Sequence, residues 1–144
     1  YTDTLLYLAA RNEHIKNKIK PALKQKKIVI CDRFIDSTIA YQVYGKNVKK
    51  SFIDNIHKYI LGGLKPNLVF VLKVDANSSK KRLKTRKIKN RYDNFPQSFY
   101  SKAQKSFLKI AKNKKNYFIM DSSKNNKELE KKIFKIVCKF LNIR

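Results

Sequence analysis

Apolar residues recur along this chain in two alternating rhythms. Leu5, Leu8, Ile15, Ile19 and Leu23 keep helical spacing and predict a helix over 3–24. Thr2 or Asp3 can cap its start, and Pro21 should kink or tighten its last turn. Ile28, Val29, Ile30 and Cys31 form a short unbroken apolar run, the pattern of a buried strand. A helix is expected over 36–43. Another runs over 49–61 on Phe52, Ile53, Ile56 and Ile60, stopped by Gly62-Gly63 ahead of Pro66. A second strand falls at 68–72. A basic helix covers 77–89, and a further helix covers 97–113 on Phe99, Ala103, Phe107 and Ile110. A third strand at 117–120 leads into Asp121, and an amphipathic helix over 126–142 closes the chain on Leu129, Ile133, Ile136, Val137 and Phe140. Strands alternating with helices indicate an α/β fold with a mostly parallel sheet flanked by helices. With no repeat and no linker, the pattern reads as a single domain over 1–144.

Composition adjusts this picture modestly. The 144 residues are 42% hydrophobic, enough for a packed core despite the charge. Lys plus Arg total 35 against 10 Asp plus Glu, a net charge of +25. A polyanion such as nucleic acid is the first partner such a balance brings to mind. The excess is nearly all Lys, however, alongside many Asn and Ile, which fits compositional drift better than dedicated binding. Basic charge alone gives only weak, salt-sensitive association.

Cys31 and Cys138 lie far apart, with no CxxC and no Cys/His cluster. Structural zinc is therefore not indicated, and both are expected to be buried thiols in a reducing compartment. His14 and His57 each stand alone in a helical pattern, as surface or hydrogen-bonded histidines do. No signal peptide and no run long enough to span a bilayer is visible. The start at Tyr1-Thr2-Asp3, without Met, carries the expectation that the chain is cut from something longer.

The chemistry concentrates around residues 28–45. Asp32-Arg33 sits where a strand should end, the edge at which open α/β sheets bind ligands. Three blocks carry a resemblance. They are Leu5-Leu6-Tyr7-Leu8-Ala9-Ala10-Arg11, then Ile19-Lys20-Pro21-Ala22-Leu23, then Cys31-Asp32-Arg33-Phe34-Ile35-Asp36-Ser37-Thr38 with Ala40-Tyr41-Gln42. In order and spacing they resemble the thymidylate kinase family, whose middle signature reads D-R-[FY]-x-x-S-[ST]…A-Y-Q.

That resemblance implies a P-loop NTPase-type nucleoside monophosphate kinase fold, ATP and dTMP as substrates, Mg2+ as cofactor, a cytoplasmic location and a homodimer. The helices at 3–24 and 49–61 are the candidates for the dimer contact. It further implies roles for single residues. Tyr7 would stack on the thymine. Arg11 would donate to a thymine carbonyl, and Gln42 would pair with the base edge. Ser37 belongs to the substrate-binding signature, and Thr38 stands near the base. Tyr41 would lie under the sugar and crowd a 2′-hydroxyl. Arg33 would clamp the acceptor phosphate, and Asp32 would hold a magnesium-bound water or orient Arg33. Taken singly, a helical Tyr is usually core and an Arg four residues later is usually solvated. It is the set at family spacing that carries the reading.

The basic stretch resembles the family's mobile lid, about 80–95, with Arg82, Arg86 and Arg91 as its cations and Arg86 and Arg91 the best placed. Lys87-Ile88-Lys89-Asn90 departs from the Gly-x-x-Asp that relatives often carry there. Asp121-Ser122-Ser123 falls where the family approaches adenine.

The family's donor cradle, G-x-x-x-x-G-K-[ST], is not in this sequence; Gly45-Lys46 lacks its flanking residues. The first two strands of the fold are expected to be missing with it, the first of which would separate the strands at 28–31 and 68–72. These 144 residues alone are thus expected to be neither stable nor active. Two other readings stand beside the kinase: a shifted acceptor preference such as dUMP, and a non-catalytic remnant or basic nucleic-acid-binding module.

Overall fold

A computed structural model describes residues 1–85, 87, 95–124 and 127–143. Helix α1 spans Thr2–His14, passes through a π-helical turn at Ile15–Ile19, and continues as α2 over Lys20–Lys24. Together they realise the helix expected over 3–24. Its start carries no side-chain cap: Tyr1 holds the cap position, while Asp3 lies within the first turn and pairs with Lys46 instead. Pro21 precedes a tightened helix end, where Lys26 N donates to Leu23 O at 2.9 Å. Pro21 has no N–H to give to the preceding turn, and the chain widens just before it, with Lys20 N donating to Ile15 O in the longer π pattern.

The run at 28–31 is not a strand. A strand exists only by pairing, and nothing among the described residues pairs with it. Ile30 is 94% exposed. Beyond it, α3 spans Ile35–Thr38 and runs straight into a π-helical segment at Ile39–Gly45. Helix α4 covers Lys50–Leu61 and ends at Gly62, whose φ of 55° is the left-handed stop that the Gly-Gly pair promised. Strand β1 (Val69–Lys73), α5 (Ala76–Lys84), α6 (Gln97–Ala111), β2 (Tyr117–Asp121) and α7 (Lys127–Leu141) follow. Among the described residues the sheet has two strands, parallel, with Val69 opposite Tyr117 and Lys73 opposite Asp121.

The chain divides into two compact units. The first is Tyr1–Asn67 with Pro96–Ile110, and the second is Leu68–Phe95 with Ala111–Arg144. The core of the first unit is Leu8, Val48 and Ile53, flanked by Ile39, Val43, Phe52, Ile56 and Ile60. The stripes predicted from spacing are borne out in part: Leu8, Ile15, Ile19 and Ile53 are buried, whereas Leu5 and Leu23 are exposed. The second unit holds the sheet, where Phe70 packs against Phe118 across the register. Both cysteines are half-buried rather than buried. Residue 28–31 lies on no covered strand, and α7 buries no residue fully, so neither run is closed over.

Gly45 ends the π-helical segment for a steric reason. A Cβ there would stand 2.5 Å from Cε2 of the buried Phe99 ring. Gly45→Ala should therefore cost roughly 1–3 kcal/mol through overpacking. Denaturant unfolding of the variant should show a lowered midpoint at unchanged slope.

Candidate acceptor site

The site forms where the 31–46 segment lies along α1. Two polar ties set its direction. Arg11 Nη2 donates to Thr38 Oγ1 at 3.1 Å, and Lys46 Nζ pairs with Asp3 Oδ2 at 2.7 Å. Asp3 and Arg11 are about 12 Å apart along a helix axis. Because the later residue of one segment meets the earlier residue of the other, the two run antiparallel. The core residues Leu8 and Ile39 lie between the ties in sequence, so the polar contacts bracket an apolar seam.

Asp32 and Arg33 make the elbow into α3. Arg33 has φ of 62°, a left-handed conformation uncommon for a non-glycine residue. Phe34 then extends before α3 begins. The elbow holds the Arg33 side chain against Tyr41: Nη1 donates to the Tyr41 hydroxyl at 2.8 Å, and the guanidinium carbon lies 5.2 Å from the ring centroid. Strained backbone of this kind persists where surrounding structure enforces it, and it clusters at binding sites. Tyr41 is itself held from behind. Its ring stacks on Phe99 at 5.7 Å and meets Phe107 edge-on at 5.9 Å, both from α6.

Thr38, Tyr41 and Gln42 sit at the join and within the π-helical segment, a departure from α-helix geometry that is common at functional sites. Ser37, Thr38 and Gln42 are buried, while Asp32 and Arg33 are exposed. Tyr7 is 44% exposed on α1, on the same turn as Leu8. The structure thus brings Arg11 to Thr38 and Arg33 to Tyr41 by direct bonds. Tyr7, Gln42, Ser37 and Asp32 lie on the same two segments.

Arg11 is the electrostatic centre. Burial lowers its pKa, opposed by the nearby Cys31, though a guanidinium stays charged. Its carbon lies 5.2 Å from the Phe34 ring centroid. Cys31 is pushed up mainly by burial, partly countered by Arg11, while Asp32 adds to the rise.

His57 is the residue sequence reasoning missed. It is 6% exposed on α4, and its Nε2 has no hydrogen-bond partner among the described residues, so it is neither a surface nor a satisfied histidine. His14 is exposed, as expected. Burial first, then the Arg11 charge, lowers the His57 pKa to about 4, with Lys50 adding to this and Asp54 opposing it. The available signal was its place on the stripe Ile53, Ile56, His57, Ile60.

Of the lid cations, Arg86 and Arg91 lie outside the described residues. Arg82 is on α5, where Nη2 donates to the carbonyl oxygens of Ser122 and Ser123 beyond β2. Asp75 caps α5 through Ser78 N at 2.8 Å. Hydrogen bonds from Ser78, then from Ser123, hold its carboxyl down at about 2. Asp121 is lowered chiefly by its hydrogen bonds with Ser123. Among the described residues no group of three or more His, Cys, Asp or Glu could hold a metal ion, and no helix is long and apolar enough to cross a membrane.

A parallel two-strand sheet flanked by helices, with an arginine-bearing elbow docked on a helix, has the form of a P-loop kinase half-fold. A crystal structure of thymidylate kinase from Ehrlichia chaffeensis superposes with a TM-score of 0.72 at 32% identity, covering 94% of this chain and 64% of that one. The sequence model of the thymidylate kinase family matches residues 1–133. The thymidylate kinase of Onion yellows phytoplasma is 41% identical over 128 residues, 86% of this chain and 61% of the relative. That of Wolbachia from Culex pipiens is 39% identical over 142 residues, 96% of this chain and 67% of the relative. The chain belongs to the thymidylate kinase family, and spans about three-fifths to two-thirds of the length of these relatives.

A pH prediction follows from His57. Its pKa falls from 6.5 to about 4 on folding, so the unfolded chain binds the extra proton first. This group's contribution to stability is full above pH 6.5 and is lost as pH falls toward 4. In thermal melts over that window, His57→Leu should flatten the decline relative to the parent; an unchanged slope would refute the assignment.

Proposed function

We propose that this chain forms the acceptor side of a kinase that moves the γ-phosphoryl group of ATP to dTMP, giving dTDP and ADP, as one kinase domain over 1–144. A phosphate oxygen of dTMP attacks the γ-phosphorus, and the bond from that phosphorus to the bridging oxygen of ADP breaks. The acceptor phosphate is already anionic at neutral pH, so the step needs positioning and charge neutralisation more than a general base. The observation that carries this reading is the pair of arginines on one pair of segments, Arg11 tied to Thr38 and Arg33 tied to Tyr41, with Arg33 held at a left-handed φ.

In this reading Arg33 grips the phosphate through its planar fork. Arg11 and Gln42 take the base edge, Tyr7 covers the base face, and Ser37 and Thr38 line the base side. Tyr41, wedged by Phe99 and Phe107, forms a floor for the sugar that leaves little room for a 2′-hydroxyl. Arg82, Arg86 and Arg91 belong to the lid, which brings positive charge to the transferred group. Magnesium bound with ATP would supply positive charge against the phosphates. The single exposed carboxylate of Asp32 suits a hold on such a hard cation through water. A homodimer in the cytoplasm completes the proposal.

The test is nucleotide binding by the full-length protein. Thermal shift should rank dTMP above dUMP and UMP, and calorimetry should give a dTMP Kd that rises about 10–100-fold in Arg33→Ala, the loss of a charged hydrogen-bond pair. No stabilisation by any of these nucleotides would sink the kinase reading.

A further inference from the structure

Helices α1 and α4 pack against each other, α1 carrying Arg11 and α4 carrying His57 beside their apolar residues. Leu8 and, in the π-helical turn that follows, Ile15 flank Arg11, with Thr4 buried one turn before Leu8; Ile53, Ile56 and Ile60 flank His57. Both polar side chains keep one buried nitrogen without a partner among the described residues: Nε of Arg11 and Nε2 of His57. The two atoms are chemically complementary. Arg11 Nε–H can only donate, and a neutral imidazole protonated on Nδ1 can only accept at Nε2. Buried polar atoms are almost always paired in working proteins, so two opposite orphans on packed helices point to a shared function.

We propose that His57 is a positioning residue for Arg11: its unprotonated Nε2 accepts from Arg11 Nε–H when the guanidinium turns from Thr38 to meet the base, and so fixes the plane of the fork. This rests on the reading of Arg11 as the base-contacting cation. The neutral state is what the role requires, since a protonated imidazole has no acceptor and would repel the guanidinium. The charges acting on His57 among the described residues are Arg11 from α1 and Asp54 and Lys50 from its own helix. The net effect, with burial, keeps it neutral down to about pH 4. Thr38 Oγ1 supplies the resting partner at 3.1 Å, so Arg11 has one partner for each position of its fork.

The proposal assigns His57 an effect on acceptor affinity and none on the donor. In the full-length protein, His57→Leu, which fills similar space without an acceptor, should raise KM and Kd for dTMP about tenfold, the equivalent of about 1.4 kcal/mol. KM for ATP should stay within about twofold of the parent. His57→Gln, which restores an amide acceptor, should recover most of that loss. Should His57→Leu fail to fold, the parent protein answers the question by itself. Its affinity for thymidine, which carries no phosphate to titrate, should weaken between pH 6 and pH 4. A pH-independent thymidine Kd, or a His57→Leu variant that binds dTMP like the parent, overturns the proposal. So does a variant that loses dTMP and ATP equally, since that marks a structural role. A parent protein that binds neither dTMP nor thymidine overturns the kinase reading and this inference with it.

Discussion

Holding an arginine half-buried between helices is the constraint around which the first unit is arranged. Removing a guanidinium from water is costly unless its donors are met and its charge is accommodated. The chain meets part of that cost with three devices from three places in the sequence, while Nε of Arg11 stays without a partner among the described residues. Thr38 accepts from Nη2, the Phe34 ring offers its face, and burial together with the positive field keeps His57 uncharged. Each depends on the others being in place. Thr38 reaches Arg11 because α3 begins after the Arg33 elbow, and the Arg11 charge reaches His57 because α4 packs on α1.

The second arginine is handled in the opposite way. Arg33 is exposed, and its order comes from geometry rather than burial. A left-handed backbone aims it, Tyr41 receives it, and the Phe99 and Phe107 rings of α6 keep Tyr41 from yielding. One site thus contains a cation fixed by low dielectric and a cation fixed by aromatic backing. In the proposed function the first would discriminate among neutral base edges, where water must be excluded. The second would hold a phosphate, which needs a solvated approach and a firm final grip.

The helices were legible because their apolar stripes have tertiary consequences that spacing encodes directly. Leu8, Ile15 and Ile53 are buried where the pattern put them, and Gly62 terminates α4 as a Gly-Gly pair should. The run at 28–31 misled because an unbroken apolar segment states only a preference, while a strand requires a neighbour to complete its hydrogen bonds. The π-helical turns were invisible for a different reason. Five or seven residues are too short a run for apolar spacing to tell an i→i+5 turn from an i→i+4 one. The proposed site residues, Tyr41 and Gln42 among them, come from a family signature rather than from physics. Phe99 and Phe107 were correctly read as packing residues, but spacing within one helix cannot say that they pack on Tyr41. His57 escaped because a lone histidine carries no pattern, and its meaning depends on which helix it meets.

With Arg33 as the proposed phosphate ligand, its left-handed φ places function and stability in opposition at a single residue. Glycine would adopt that backbone at no steric cost, and asparagine at little, so either would relax the elbow. Neither could reach Tyr41 or a phosphate with a guanidinium fork. Selection for thermal robustness alone would therefore erode this position, and stabilising libraries drawn from the chain would be enriched in substitutions that disarm it. The elbow is a trade-off written into one dihedral angle, at the residue proposed to hold the phosphate.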